Sequence, residues 1–150
     1  MEDSQKYRSI LELTFSSFSE NGVREETDSE RYEILMFRKD GAEVLCWDSE
    51  DGEMIMEFRP GLVLVLREGS EVSYRMELIM GRESVMELES PHGTLRFRVR
   101  TLDLSWRKDP DFPKEGGLYF LLVYELLSGD SVVATRMMSG KTIETTPYGS

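Results

Sequence analysis

The chain has 150 residues, enough for a single domain, since a chain of this size buries roughly 70% of the surface its unfolded form exposes and needs no metal or disulfide to hold it. Eighteen basic against 29 acidic residues leave a net charge of −11, which repels phosphate backbones and anionic lipid and argues against nucleic acid or a membrane surface as partner. The lone Cys46 fits a reducing compartment, MEDSQKYRSI has no hydrophobic signal core, and the longest apolar run, LYFLLVY at 118–124, is too short for a spanning helix, so the expected location is cytoplasmic.

Alternation with a period of two predicts strands at about 7–18, 24–37, 42–48, 53–59, 62–67, 71–80, 84–90, 94–103, 117–127 and 131–143. The charged run ENGVREETDSERYE reads as an exposed, charge-protected outer strand. Asn21-Gly22, Asp40-Gly41 and Asp51-Gly52 are hairpin signals, because a type I′ turn needs positive φ at both central positions. Leu62 to Leu66 is apolar on both faces and reads as a central strand. In VSYRMELIM, Val72, Tyr74, Met76, Leu78 and Met80 share one face, with Ser73, Arg75 and Glu77 opposite. Leu95, Phe97 and Val99 likewise oppose Arg96, Arg98 and Arg100. Gly69-Ser70, Pro91-His92-Gly93 and Ser128-Gly129-Asp130 supply further reversals. The link 105–117 is irregular, since Pro110 and Pro113 exclude a ladder. The last long strand lines one face with Leu118, Phe120, Leu122, Tyr124 and Leu126, while Tyr119, Leu121 and Val123 leave it no obvious solvent face. Sequential hairpins of this number hide their two edges best by closing. The expectation is all-β: one up-and-down antiparallel barrel of eight to ten strands over residues 1–150, with its core at about 7–143.

VLREGSEVSYRMELIMG, then ESPHGTLRFRVRT, then GGLYFLLVYEL resemble the YwiB-like family of small bacterial proteins. The matching features are Arg67-x-Gly69, Pro91-x-Gly93-x-Leu95 with Thr101 downstream, and the Gly117 strand start leading to Tyr124. The resemblance covers roughly residues 40–143. It implies a lipocalin-like (calycin) barrel of unknown function in a bacterial cytoplasm, with no catalytic residue to transfer. CWDSEDGEMIMEFRPG departs from the family pattern.

Catalytic and metal chemistry find little footing. His92, the only histidine, sits in a Pro-x-Gly turn with no nucleophile placed beside it, and a turn residue is the better account. Cys46, between Val44 and Asp48 on one face, reads as a small buried hydrophobe. One histidine and one cysteine build no His/Cys zinc site, and in Asp48, Glu50, Asp51, Glu53 the glycine falls at the wrong place for a calcium loop. The expectation is a non-enzyme with no metal and no cofactor. The stripe Arg96, Arg98, Arg100 suggests either an anion site or, better, pairing with Glu87 and Glu89.

The lumen is the more promising place. Met36, Met54, Met56, Met76 and Met80 fall in predicted strands together with Tyr74, Phe97, Phe120 and Tyr124. Methionine adapts to irregular shapes, and a barrel of about eight strands either fills its interior or holds one ligand. The candidate ligand-binding residues are Arg67, Tyr74, Met76, Phe97, Phe120 and Tyr124, with Arg67 as a polar anchor for a small apolar or amphipathic molecule. A two-residue turn at Gly69-Ser70 sends Arg67 to the Tyr74 face, and a three-residue turn sends it outward. The alternative is a structural or interaction module that dimerises or docks a partner through Tyr119, Leu121 and Val123.

Overall fold

The computed structural model describes residues 5–18, 24–114 and 116–148. It is all-β, and among the described residues no helix is long and apolar enough to cross a membrane. Ten strands follow one another: β1 (Tyr7–Phe18), β2 (Arg24–Lys39), β3 (Ala42–Ser49), β4 (Gly52–Arg59), β5 (Leu62–Glu68), β6 (Ser73–Ile79), β7 (Glu83–Ser90), β8 (Gly93–Lys108), β9 (Leu118–Ser128) and β10 (Ser131–Pro147). Each pairs antiparallel with its neighbours in sequence, and β1 pairs with β10 to close the barrel. The barrel closes, but the ladder of β2 with β3 runs only from Lys39↔Ala42 to Leu35↔Cys46, so the described part of the charged run, Arg24 to Glu33, pairs with β1 alone and keeps an open edge, as predicted. Beyond that ladder, the rings of Tyr32 and Trp47 meet at 5.6 Å.

The turns sort the barrel into two ends. The upper end carries 50–51, 69–72, 91–92 and 129–130, and the lower end carries 40–41, 60–61, 80–82 and 109–117. The Asn21-Gly22 hairpin lies outside the described residues. Asp40 and Gly41 have φ of 50° and 82°, as a type I′ turn requires. Asp51-Gly52 departs from that expectation: the turn is Glu50-Asp51, and Ser49 pairs with Gly52 inside the ladder. Glycine is required there by crowding, since with φ at 138° a Cβ on Gly52 would stand 2.2 Å from the Glu68 carbonyl oxygen.

The predicted irregular link is shorter than 105–117. Trp106 pairs with Phe120 and Lys108 with Leu118, so β8 runs on to Lys108, helped by a bulge between Thr101 and Asp103. The remaining loop is tied by Asp109, whose Oδ2 accepts from the Gly117 amide at 2.8 Å and the Tyr119 hydroxyl at 3.2 Å. Leu62–Leu66 is a central strand as predicted, paired with β4 on one side and β6 on the other; Val63 and Val65 are fully buried inside, while Leu62, Leu64 and Leu66 face out, half-buried. Arg59, Glu57, Arg75 and Glu77 line the same outer hollow as Leu62 and Leu64, so long polar stems shade the apolar side chains.

Rings occupy most of the lower lumen, leaving a hollow of about 150 Å³ at its rim beside Tyr7, Met36 and Phe112. Phe58 meets Phe120 at 5.1 Å and Trp106 at 5.8 Å. Trp106 Nε1 donates to the Arg59 carbonyl at 2.9 Å. Gly140 faces Phe120 across the β9–β10 ladder, and a Cβ there would lie 2.5 Å from the ring, so glycine is what lets this ring lie flat across the wall. At the rim of this end Glu43 is buried, accepting from Arg38 at 2.6 Å and from Lys108 at 3.0 Å.

Candidate functional site

Among the described residues the upper lumen is open. A cavity of about 640 Å³ lies inside the wall, within the range usual for small-molecule sites. Its apolar wall comes from inward positions of several strands: Met54, Met76, Met86, Leu88, Leu126 and Met138. All of these side chains except Leu88 are buried. Phe15, Val72, Glu50 and Asp51 stand around its entrance.

Four of the six candidate residues, Arg67, Tyr74, Met76 and Tyr124, line this cavity. Phe120 does not; it belongs to the ring cluster that occupies most of the lower lumen. Phe97 sits opposite Met86 and packs, partly buried, against the core outside the cavity lining. Met36 and Met56 are buried in the wall, whereas Met80 lies past the end of β6 and is exposed.

Arg67 points inward, but through neither turn considered. Arg67 pairs with Tyr74 and Glu68 with Ser73, leaving a four-residue turn. An even number of turn residues keeps the same parity as two, so the face is preserved. Its Nη2 lies 2.7 Å from Asp51 Oδ2, and its side chain is 24% exposed while that of Asp51 is 76% exposed. Among the described residues the Arg67 Nε is buried without a hydrogen-bond partner, and so is the Trp47 Nε1. The two belong to one cross-strand row, Trp47↔Met54↔Arg67↔Tyr74, and both line the cavity. An orphaned buried donor costs about 1–3 kcal/mol, so two on one cavity are a chemical feature and not a detail.

Arg136, like Trp47, is a residue that the sequence alone did not reveal. It pairs with Tyr124 and lines the same cavity. Burial, then the neighbouring Tyr74, push the Tyr124 hydroxyl up to about 12, against the pull of Arg136, which donates a hydrogen bond to it. Burial also raises Tyr74, with Arg67 and Arg136 pulling the other way. Both phenols therefore stay protonated near neutral pH. Two guanidiniums and two phenols thus bridge the lumen from β5 to β10. Among the described residues Arg136 forms no ion pair. Glu30, also on the cavity, accepts from the Tyr32 hydroxyl.

The other candidates lie elsewhere. Arg96 pairs with Glu87 at 3.2 Å; Arg98 and Arg100 pair with Glu83 at 3.0 and 3.3 Å, and Arg100 also with Glu125 at 3.3 Å. Glu89 takes no part in these pairs, because it sits opposite Thr94 in the ladder. His92 is exposed in its turn. Cys46 lines an outer groove of about 490 Å³ with Arg8, Glu33 and Glu53. Burial first, then Glu53 and Asp48, hold its thiol above its ordinary value, with Lys6 opposing, so the reactive thiolate is disfavoured. Tyr119 packs under Arg107 at 4.1 Å, and Leu121 and Val123 face outward half-buried.

The barrel is similar to a solved structure, "Crystal structure of ywiB protein from Bacillus subtilis", with a TM-score of 0.68 over 93% of this chain and 91% of that chain. The two are 15% identical, so the likeness shows the fold. No protein-family model matches the sequence, and no curated protein matches it.

Proposed function

We propose that the protein binds one small, mostly apolar molecule in the upper half of its barrel. The observation that carries this reading is the division of the lumen. Rings occupy most of the lower part, while about 640 Å³ above them is walled by methionine and leucine and open past the turns. The flexible thioethers of Met54, Met76, Met86 and Met138 adapt to a ligand without breaking the ladder behind them. Arg67, Arg136, Trp47, Tyr74 and Tyr124 supply donors suited to orienting a molecule, and with Glu30, Glu50, Asp51 and Ser49 beside them they support binding as the reading. The lipocalin-like resemblance agrees with this use of a barrel.

Native mass spectrometry of protein purified from its own host, with an apolar fluorescent dye as probe, tests the reading. We expect one dye per chain, displaced by any retained molecule, and binding lost in Leu126→Trp, which fills the cavity while the thermal midpoint holds. Dye binding indifferent to Leu126→Trp, with no retained mass, would remove the reading. A dimer mass in that spectrum would instead favour docking through the outward Leu121 and Val123.

A further inference from the structure

We infer that the ligand carries a single negatively charged, oxygen-bearing head, of the carboxylate class, held between Arg67 and Arg136, with its apolar tail against the methionine wall. This inference rests on the lumen reading above and narrows it. Trp47 Nε1 and Arg67 Nε are buried donors without partners among the described residues, and both line the cavity. The missing partner is therefore an acceptor. Arg136, exposed to water, stands across the lumen beside the Tyr124 hydroxyl, and no described carboxylate pairs with it. Charge-assisted bonds from guanidinium to carboxylate are shorter and about twice as strong as neutral ones, so an anionic acceptor satisfies this set better than a carbonyl or hydroxyl.

The surrounding carboxylates limit the charge of that head. Glu30, Glu50 and Asp51 also line the cavity, in a chain of net charge −11. Glu30 accepts from Tyr32 and Asp51 engages Arg67, so both are partly occupied, and Asp51 and Glu50 are exposed to screening water. A doubly charged phosphate meets more repulsion at that rim than a monoanion. A monoanion that brings its own apolar tail is drawn in by burial as well as by charge.

Calorimetry of the full chain at neutral pH with octanoate, octanol and octylamine separates the possibilities, because the three share one tail and differ in head charge. We expect octanoate to bind about tenfold tighter than octanol and octylamine to bind weakest. Arg136→Gln should abolish the octanoate preference and leave octanol within about twofold, which also shows that the lumen is intact. Trp47→Phe should weaken octanoate about threefold through loss of one donor. Equal binding of octanoate and octanol overturns the charged head and leaves the lumen reading standing. Tightest binding of octylamine overturns it too, in favour of the rim carboxylates. Failure of all three to bind overturns both.

Discussion

Phe58, Phe120 and Trp106 at the lower end and Trp47, Arg67 and Arg136 at the upper end are built on the same alternating strands, yet the two ends resolve their polar groups in opposite ways. Below, the Trp106 indole donates to Arg59 at 2.9 Å, and Glu43 takes both Arg38 and Lys108. Above, the Trp47 indole and the Arg67 Nε have no partner among the described residues and face about 640 Å³ of space. The lower end is packed and satisfied, as a structural core must be. The upper end bears an uncompensated cost, and uncompensated cost concentrates where something else is meant to arrive.

The largest test of this contrast is a pair of truncations. Phe58→Ala should destabilise by about 3–5 kcal/mol, because the surrounding rings cannot collapse into the gap. Met54→Ala, whose side chain already borders open space, should cost about 2 kcal/mol, at the low end for its type. Equal costs in urea melts would mean that the two ends are packed alike.

Alkali should act on the upper end. Tyr124 rises from 10 to about 12 on folding. A raised folded pKa gives stability that is whole below the unfolded value and is lost as pH climbs through the folded one. Stability should therefore fall between about pH 10 and 12, and Tyr124→Phe should flatten that fall by about 2–3 kcal/mol. Chemical melts stepped across this window, with an unchanged slope in the variant, would place the titrating group elsewhere.

The two tryptophans offer a sharper comparison. Trp106→Phe strands the Arg59 carbonyl and should cost about 1–3 kcal/mol. Trp47→Phe removes a donor that has nothing to lose and should stay within about 1 kcal/mol of the parent, measured without added ligand. Arg96→Ala marks the small end of the scale. Its pair with Glu87 is exposed on both sides, and a change above about 0.5 kcal/mol in thermal melts would be unexpected.

Much of the wall could be read from the residues alone. Leu118, Phe120, Leu122, Tyr124 and Leu126 alternate inward as their pattern demands, because a strand exposes every second side chain to the same side. Asp40-Gly41 likewise declared its turn. Arg136 could not be read that way. Ser131 pairs with Ser128 and Val132 with Leu127, and continued without a break this ladder would set Arg136 opposite the outward Val123. A bulge between Val132 and Ala134 shifts the register by one, sets Arg136 opposite Tyr124 and turns it into the lumen.

Period-two alternation, turn residues and charge thus determined by themselves that this chain is a meander of strands and, wherever no bulge intervenes, which residues of a strand share a side. Height along the axis and company around it belonged to the tertiary structure. Phe120 and Tyr124 sit on one strand and one face, yet the first fills the floor and the second borders the cavity. Sidedness is a local property of the backbone, whereas height follows from the summed turn lengths, bulges and register of ten strands, and no single segment carries that sum.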